Sequence, residues 1–214
     1  MIAHAPALQK PSLRGVSHQI AAFVAFFAGV FLFSRAPRSA SAAVAIYTVS
    51  LTALLGISAA YHRPTWQPHA RAWMRRLDHA AIFLLVAGTY TPLSLALPDH
   101  EGTVLRWVVW SGAAAGVLQS LLWVTAPKPL VAAIYVVLGW SILPYVRLMH
   151  AAVGPGPLAL LLGGGVVYSL GALVYAKKRP DPVPRVFGYH EVFHALVIFA
   201  ATLHYAAVVR VVLR

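Results

Sequence analysis

The chain has 214 residues, 60% of them hydrophobic and 10% charged, with mean hydropathy +0.73, where an ordinary water-soluble domain carries about 25% charged residues. That balance excludes a soluble globular protein, and several spans of about 20 residues each leave no length for a separate soluble domain. The net charge of +12 does not point to nucleic acid, because Lys and Arg sit in short clusters between apolar runs and not along one amphipathic face.

In chain order, a segment 1–15 carrying Lys10 and Arg14 is expected to lie on the cytoplasmic side, and residues 16–214 to form one transmembrane domain. Apolar runs cover 16–33, 40–61, 80–97, 104–124, 130–148, 158–176 and 192–212, each near the length that spans a hydrocarbon core as helix. The stretch 39–43 imitates a signal-peptide cleavage site, but Arg35, Pro37 and Arg38 precede it and a second apolar run follows at once. The first run is therefore expected to be kept as a helix. Short connections rich in Pro and charge separate the runs, and Trp66, Trp73 and Met74 interleaved with Arg71, Arg75 and Arg76 read as a stretch lying on the membrane surface. Gly112, Gly116 and Gly163 to Gly165 read as close-packing positions, and Pro92 and Pro144 as bends.

The expectation is an all-α membrane protein, a seven-transmembrane helix bundle, multi-pass in the cell membrane. Alternate connections then place eleven basic residues (Lys10, Arg14, Arg63, Arg71, Arg75, Arg76, Lys128, Lys177, Lys178, Arg179, Arg185) on one side and six (Arg35, Arg38, Arg106, Arg147, Arg210, Arg214) on the other. The richer side is normally cytoplasmic, so the N-terminus is expected inside and the C-terminus outside. Membrane lipids are the expected partners, with anionic lipid at the inner surface attracted by these cations.

There is no cysteine, so a metal site would need His, carboxylate or water. Only two of five acidic residues, Asp78 and Glu191, fall near apolar helix. Both open a span at the depth where His62 closes one, and ionisable groups at such depth are costly unless paired, solvated or functional. His190 and His194 are four apart, which puts both imidazoles on one helical face. Ser58 and His62 repeat that spacing. With His62 as a third nitrogen the set matches a catalytic zinc site, three His with water in the fourth position, and Asp78 could hold that water. Each residue also has a plainer reading: an interfacial His, a carboxylate complementing a helix N-terminus, a small serine for packing. His204 lies about 15 Å beyond His194 along the axis, too far for the same ion, and is expected to make an interhelical hydrogen bond.

The segments Ser58-Ala-Ala-Tyr-His62, Leu77-Asp78-His79 leading to Gly88-Thr-Tyr-Thr-Pro92, and Gly188-Tyr-His-Glu-Val-Phe-His194 running on to His204 resemble the hemolysin III and progestin/adipoQ receptor (PAQR) family. Arg14-Gly-Val-Ser-His18 ahead of the first span belongs to the same resemblance. It implies a seven-helix bundle with the N-terminus inside, His62, His190 and His194 as ligands of Zn2+, Asp78 holding the water beside the ion, and Ser58 as the motif serine near the site. A more distant similarity to alkaline ceramidases implies metal-assisted amide hydrolysis.

Three functions follow as expectations. The first is a zinc-dependent intramembrane hydrolase of a lipid amide or ester, with Asp78 and Ser58 in the catalytic group. The second is a non-enzymatic receptor-like, membrane-homeostasis or cytolytic protein with structural zinc. The third is an intramembrane metalloprotease, because His190-Glu-Val-Phe-His194 matches H-E-x-x-H with Glu191 as its base. Against it, no third ligand of the usual kind lies downstream.

Overall fold

Apolar runs that cannot reach water must pair their backbone groups internally, and a helix does this within one segment. In a computed structural model, which describes residues 10–123 and 125–214, the described residues form eight α-helices and no strand. They are α1 (Val16–Arg35), α2 (Arg38–His62), α3 (Pro68–Leu93), α4 (Asp99–Leu122), α5 (Lys128–Gly139), α6 (Val146–Val153), α7 (Pro155–Lys177) and α8 (Tyr189–Val212). Short 3₁₀ turns follow α3 at Ser94–Ala96 and precede α6 at Leu143–Tyr145. Proline sets several starts, at Pro68 of α3 and Pro155 of α7, where its missing N–H costs no bond.

Six helical segments are long and apolar enough to cross a membrane: α1, α2, α3 continued through Ala96, Pro129–Val153, α7 and α8. The outer face of α1 makes sense only in lipid, since Phe23, Phe27 and Phe31 are 64%, 66% and 60% exposed. α4 is equally long but less apolar, with Asp99 and Glu101 in its first turn, where carboxylates complement the positive helix end.

Two of the expected segments differ. The run expected at 130–148 is broken into α5 and α6, because Pro144 lies in the 3₁₀ turn between them and cannot donate to a continuing helix. The connection expected over 63–76 is only five residues long: residues 68–76 are the first turns of α3, hidden from a hydropathy reading by Arg71, Arg75 and Arg76. The end of the span expected at 104–124 falls on residue 124, outside the described residues, and α4 stops at Leu122. Pro92 sits one residue before the end of α3.

The helices pack in sequence, α1 on α2, α2 on α3, α3 on α4 and α7 on α8, and α8 returns against α1 and α3. Tyr205 of α8 donates to Ala28 O of α1 at 2.7 Å, which joins the two ends of the bundle. Glycine permits the closest approaches: a Cβ on Gly116 of α4 would lie 2.3 Å from the Phe83 ring of α3. This ring closure brings the end of α2 and the starts of α3 and α8 to one end of the bundle.

Candidate metal centre

At that end the backbone is arranged before any side chain acts. Gly15, left-handed at φ 79°, starts α1 so close to α2 that a Cβ would lie 2.8 Å from His62 Cβ. Ser12 N–H donates to Arg185 O at 3.1 Å and Leu13 N–H to Val186 O at 3.3 Å, a short ladder that fixes the segment before α1 against the loop before α8. That ladder delivers Arg14 to Glu191. The guanidinium Nε donates to Glu191 Oε1, and the Glu191 side chain is 2% exposed. The other oxygen, Oε2, accepts from Gly188 N–H at 2.8 Å, so this carboxylate both caps α8 and neutralises Arg14.

His190 and His194 follow on successive turns of α8, and His62 faces them from the last residue of α2. Ligand nitrogens of the three lie within 4.8 Å of one another. His62 Nε2 and His190 Nε2 are 3.2 Å apart, while two nitrogens on one tetrahedral zinc are about 3.3 Å apart for bonds of roughly 2.0–2.1 Å. The rings meet at 67°, 61° and 63° with centroids 4.5 to 5.1 Å apart, converging edge-on as three ligands of one ion do. Three imidazoles gathered at this spacing with no carboxylate inserted among them fit a metal ion, and the set is buried or nearly so.

Asp78 stands beside this group from α3, Oδ2 4.0 Å from His62 Nε2. That is too long for a hydrogen bond. Ser58, one turn before His62, is buried and shares the cavity wall with Asp78. All five residues expected from the sequence are thus brought together. His204 is elsewhere, as expected: its Nε2 is 3.0 Å from Leu161 O of α7, in space left by Gly164.

Three neighbours were given no role by sequence reasoning. His18 of α1 lies flat on His194, centroids 3.8 Å apart and planes 12° apart. Arg14 holds Glu191, and Tyr175 of α7 stacks edge-on against His190 at 5.7 Å. The only signal for His18 and Arg14 is their place in Arg14-Gly-Val-Ser-His18, since nothing local announces a partner 177 residues away.

A cavity of about 1050 Å³ runs from Lys10, Arg71 and Arg75 past the histidines to Tyr90, Trp140, Tyr168 and His204 in the middle of the bundle. Six apolar spans around a buried three-histidine cluster on a deep internal cavity define a multi-pass integral membrane protein with a potential metal centre. The chain belongs to the haemolysin-III related family, whose sequence profile matches residues 7–205. It is 30% identical over 188 residues to a hemolysin-3 homolog of Bacillus subtilis (strain 168), covering 86% of this chain and 85% of that one. It is 30% identical over 204 residues to hemolysin-3 of Bacillus cereus, covering 92% and 90%. Similarity extends to the human monocyte to macrophage differentiation factor, 28% identical over 171 residues, 76% of this chain and 67% of that one.

Proposed function

We propose that this protein is a seven-span zinc hydrolase of the membrane that cleaves a lipid amide or ester. The observation that carries the reading is the juxtaposition of three converging imidazoles with one carboxylate, Asp78, 4.0 Å from the nearest of them, on the wall of a cavity large enough for an acyl chain. In this reading α4 is the remaining span, the segment 1–15 is cytoplasmic and 16–214 is the membrane domain, with anionic lipid against its basic inner surface.

His62, His190 and His194 would hold Zn2+, which when bound supplies Lewis acidity toward a carbonyl and lowers the pKa of water toward 7. Asp78 Oδ2 accepts the proton given up as water attacks the carbonyl carbon, and returns it to the leaving amine or alkoxide as the C–N or C–O bond breaks. Ser58 keeps that carboxyl turned to the histidines. The apolar walls contributed by Leu54, Ile82 and Val197 exclude bulk water and seat a hydrocarbon chain. Glu191 has no part as a base, because Arg14 and Gly188 N–H already occupy its two oxygens; the protease reading loses its central group.

A structural role rests on a different observation. His62 and His190 join α2 to α8 across 128 residues of sequence, so an ion there would clamp two helices in a receptor-like, membrane-homeostasis or cytolytic protein without turnover. Product release from ceramides, N-acyl amines and phospholipid esters separates the two. Zinc-loaded protein should yield a fatty acid from at least one, and metal-stripped protein none. Equal, background release from both leaves the structural role in its place.

A further inference from the structure

The mouth of the cavity carries a charge surplus that the chain does not neutralise. Arg71 and Arg75 precede Asp78 on α3 by seven and three residues, spacings that put all three on one stripe of the helix. The two guanidinium-bearing positions therefore sit about 10 Å and about 4.5 Å along the axis from Asp78. Both line the cavity, together with Lys10. Arg76, one residue further, does not: it packs over the Trp73 ring at 4.8 Å.

The nearby carboxylates are committed elsewhere. Glu191 pairs with Arg14, Asp181 Oδ1 accepts from Tyr189 N–H at 2.8 Å, and Asp78 Oδ2 faces His62 Nε2 at 4.0 Å. Among the described residues no carboxylate lies within 4.0 Å of Lys10, Arg71 or Arg75. Partial burial first, and the charges of Arg14, Arg63 and Arg71 second, push the Lys10 ammonium below its ordinary value. Positive-inside topology accounts for cations at this end of the bundle, but not for their pointing along the cavity wall in register with Asp78. At its other end the same cavity is walled by Tyr90, Trp140 and Tyr168.

We propose that this site takes an amphiphile with a short anionic head, held by Arg71 and Arg75 with Lys10, whose acyl chain runs inward past the histidines. The order of groups along the cavity is cations, then Asp78 and the histidines, then aromatic and apolar wall. It matches an N-acyl amino acid, in which a carboxylate stands one carbon from the amide nitrogen and the chain lies on the far side of the carbonyl. This deepens the hydrolase reading and rests on it for the position of the amide.

The test compares N-oleoylglycine with N-oleoylethanolamine, which share chain and amide and differ in head charge, on zinc-loaded protein in phosphatidylcholine nanodiscs. Binding and product release are read separately. The glycine conjugate should bind at least about tenfold more tightly at low salt, as hydrogen bonds to charged groups imply, and R71Q/R75Q should erase the preference while zinc content and the unfolding temperature hold. If that double variant does not fold, K10Q should reduce the preference by a smaller factor. N-acetylglycine, the same head without the chain, should compete weakly.

Equal binding of the two oleoyl amides by wild type, no binding of either, or an undiminished preference in folded R71Q/R75Q overturns the anionic-head assignment. Equal competition by N-acetylglycine overturns the amphiphile in favour of a soluble anion. A clear preference in binding without turnover of either compound keeps the head site and removes the hydrolase. Turnover of both without preference does the reverse.

Discussion

His18 lies parallel to His194 at van der Waals distance, 3.8 Å between centroids, and its ring covers the face of an imidazole whose Nδ1 is buried without a hydrogen-bond partner among the described residues. In many metal sites a second hydrogen bond fixes the orientation of a ligand histidine. Here a stacked ring from α1 holds the His194 imidazole by shape.

His18→Ala should therefore loosen His194 and lower zinc affinity by roughly 10- to 100-fold, the range seen when outer partners of a ligand are lost. His18→Phe keeps a flat ring and should retain most of the affinity. Competition against a fluorescent chelator measures both. A Phe variant as weak as the Ala variant would show that a ring nitrogen, not the stack, is needed.

Single Ala changes at His62, His190 and His194 should each remove stoichiometric zinc from purified protein, because the remaining two imidazoles leave the ion half-coordinated. Asp78→Asn should keep the metal and cost about 10²- to 10⁴-fold in turnover, the usual worth of general-base assistance. Elemental analysis beside the lipid assay distinguishes the two classes. Full zinc occupancy in His62→Ala would refute the three-histidine site.

Arg14→Leu leaves the Glu191 carboxylate, 2% exposed, without its counter-charge. Breaking one side of such a pair costs about 3–5 kcal/mol, so the variant should unfold at markedly lower temperature in detergent. Arg14→Leu with Glu191→Gln should recover much of the loss, since no bare charge then stays buried. If the double variant is no more stable than the single, the pair does not act through charge.

Gly15→Ala meets two obstacles, a left-handed φ of 79° and a Cβ 2.8 Å from His62 Cβ. The first costs about 1–2 kcal/mol; the second pushes His62 away from His190. Thermal unfolding should fall and zinc affinity with it, whereas Gly56→Ala, whose Cβ meets nothing within 4 Å, should leave the zinc affinity unchanged. Unaltered zinc binding in a folded Gly15→Ala would show that the close approach does not position His62.

If the bundle has seven spans, reporters fused near the two termini should lie on opposite sides of the membrane, the N-terminal one with the eleven-residue basic side. Both on one side would mean that α4 does not cross.

Legibility in the sequence followed the range of the interaction. His190 and His194 could be seen together because a helix turns their four-residue spacing into a shared face, and His62 because spans of fixed thickness bring segment ends to one depth. Gly164 and Gly116 were legible as packing positions because small residues in membrane helices let neighbours approach closely, as the Phe83 and His204 rings do. The Arg14–Glu191 pair and the His18 stack were not, because they depend on how α1 and the residue 185–186 backbone dock, which no local period encodes. Hydropathy also hid the first turns of α3, where Arg71, Arg75 and Arg76 mask a helix that proceeds regardless of its apolarity. It smoothed over Pro144, reading one run where the backbone makes two helices.

The 128-residue separation of His62 and His190 also imposes an order in time. At about 5–20 residues per second, a ribosome that has finished α2 needs several more seconds before it reaches α8. Through that interval His62 has neither imidazole partner, and Arg14 and His18 lack Glu191 and His194. The centre is thus completed late in synthesis, by the arrival of α8, and chains halted before it should insert their helices yet hold no ion. On the zinc reading, an ion can be held only by chains whose second and eighth helices have met, so metal retention would report whether the bundle has closed.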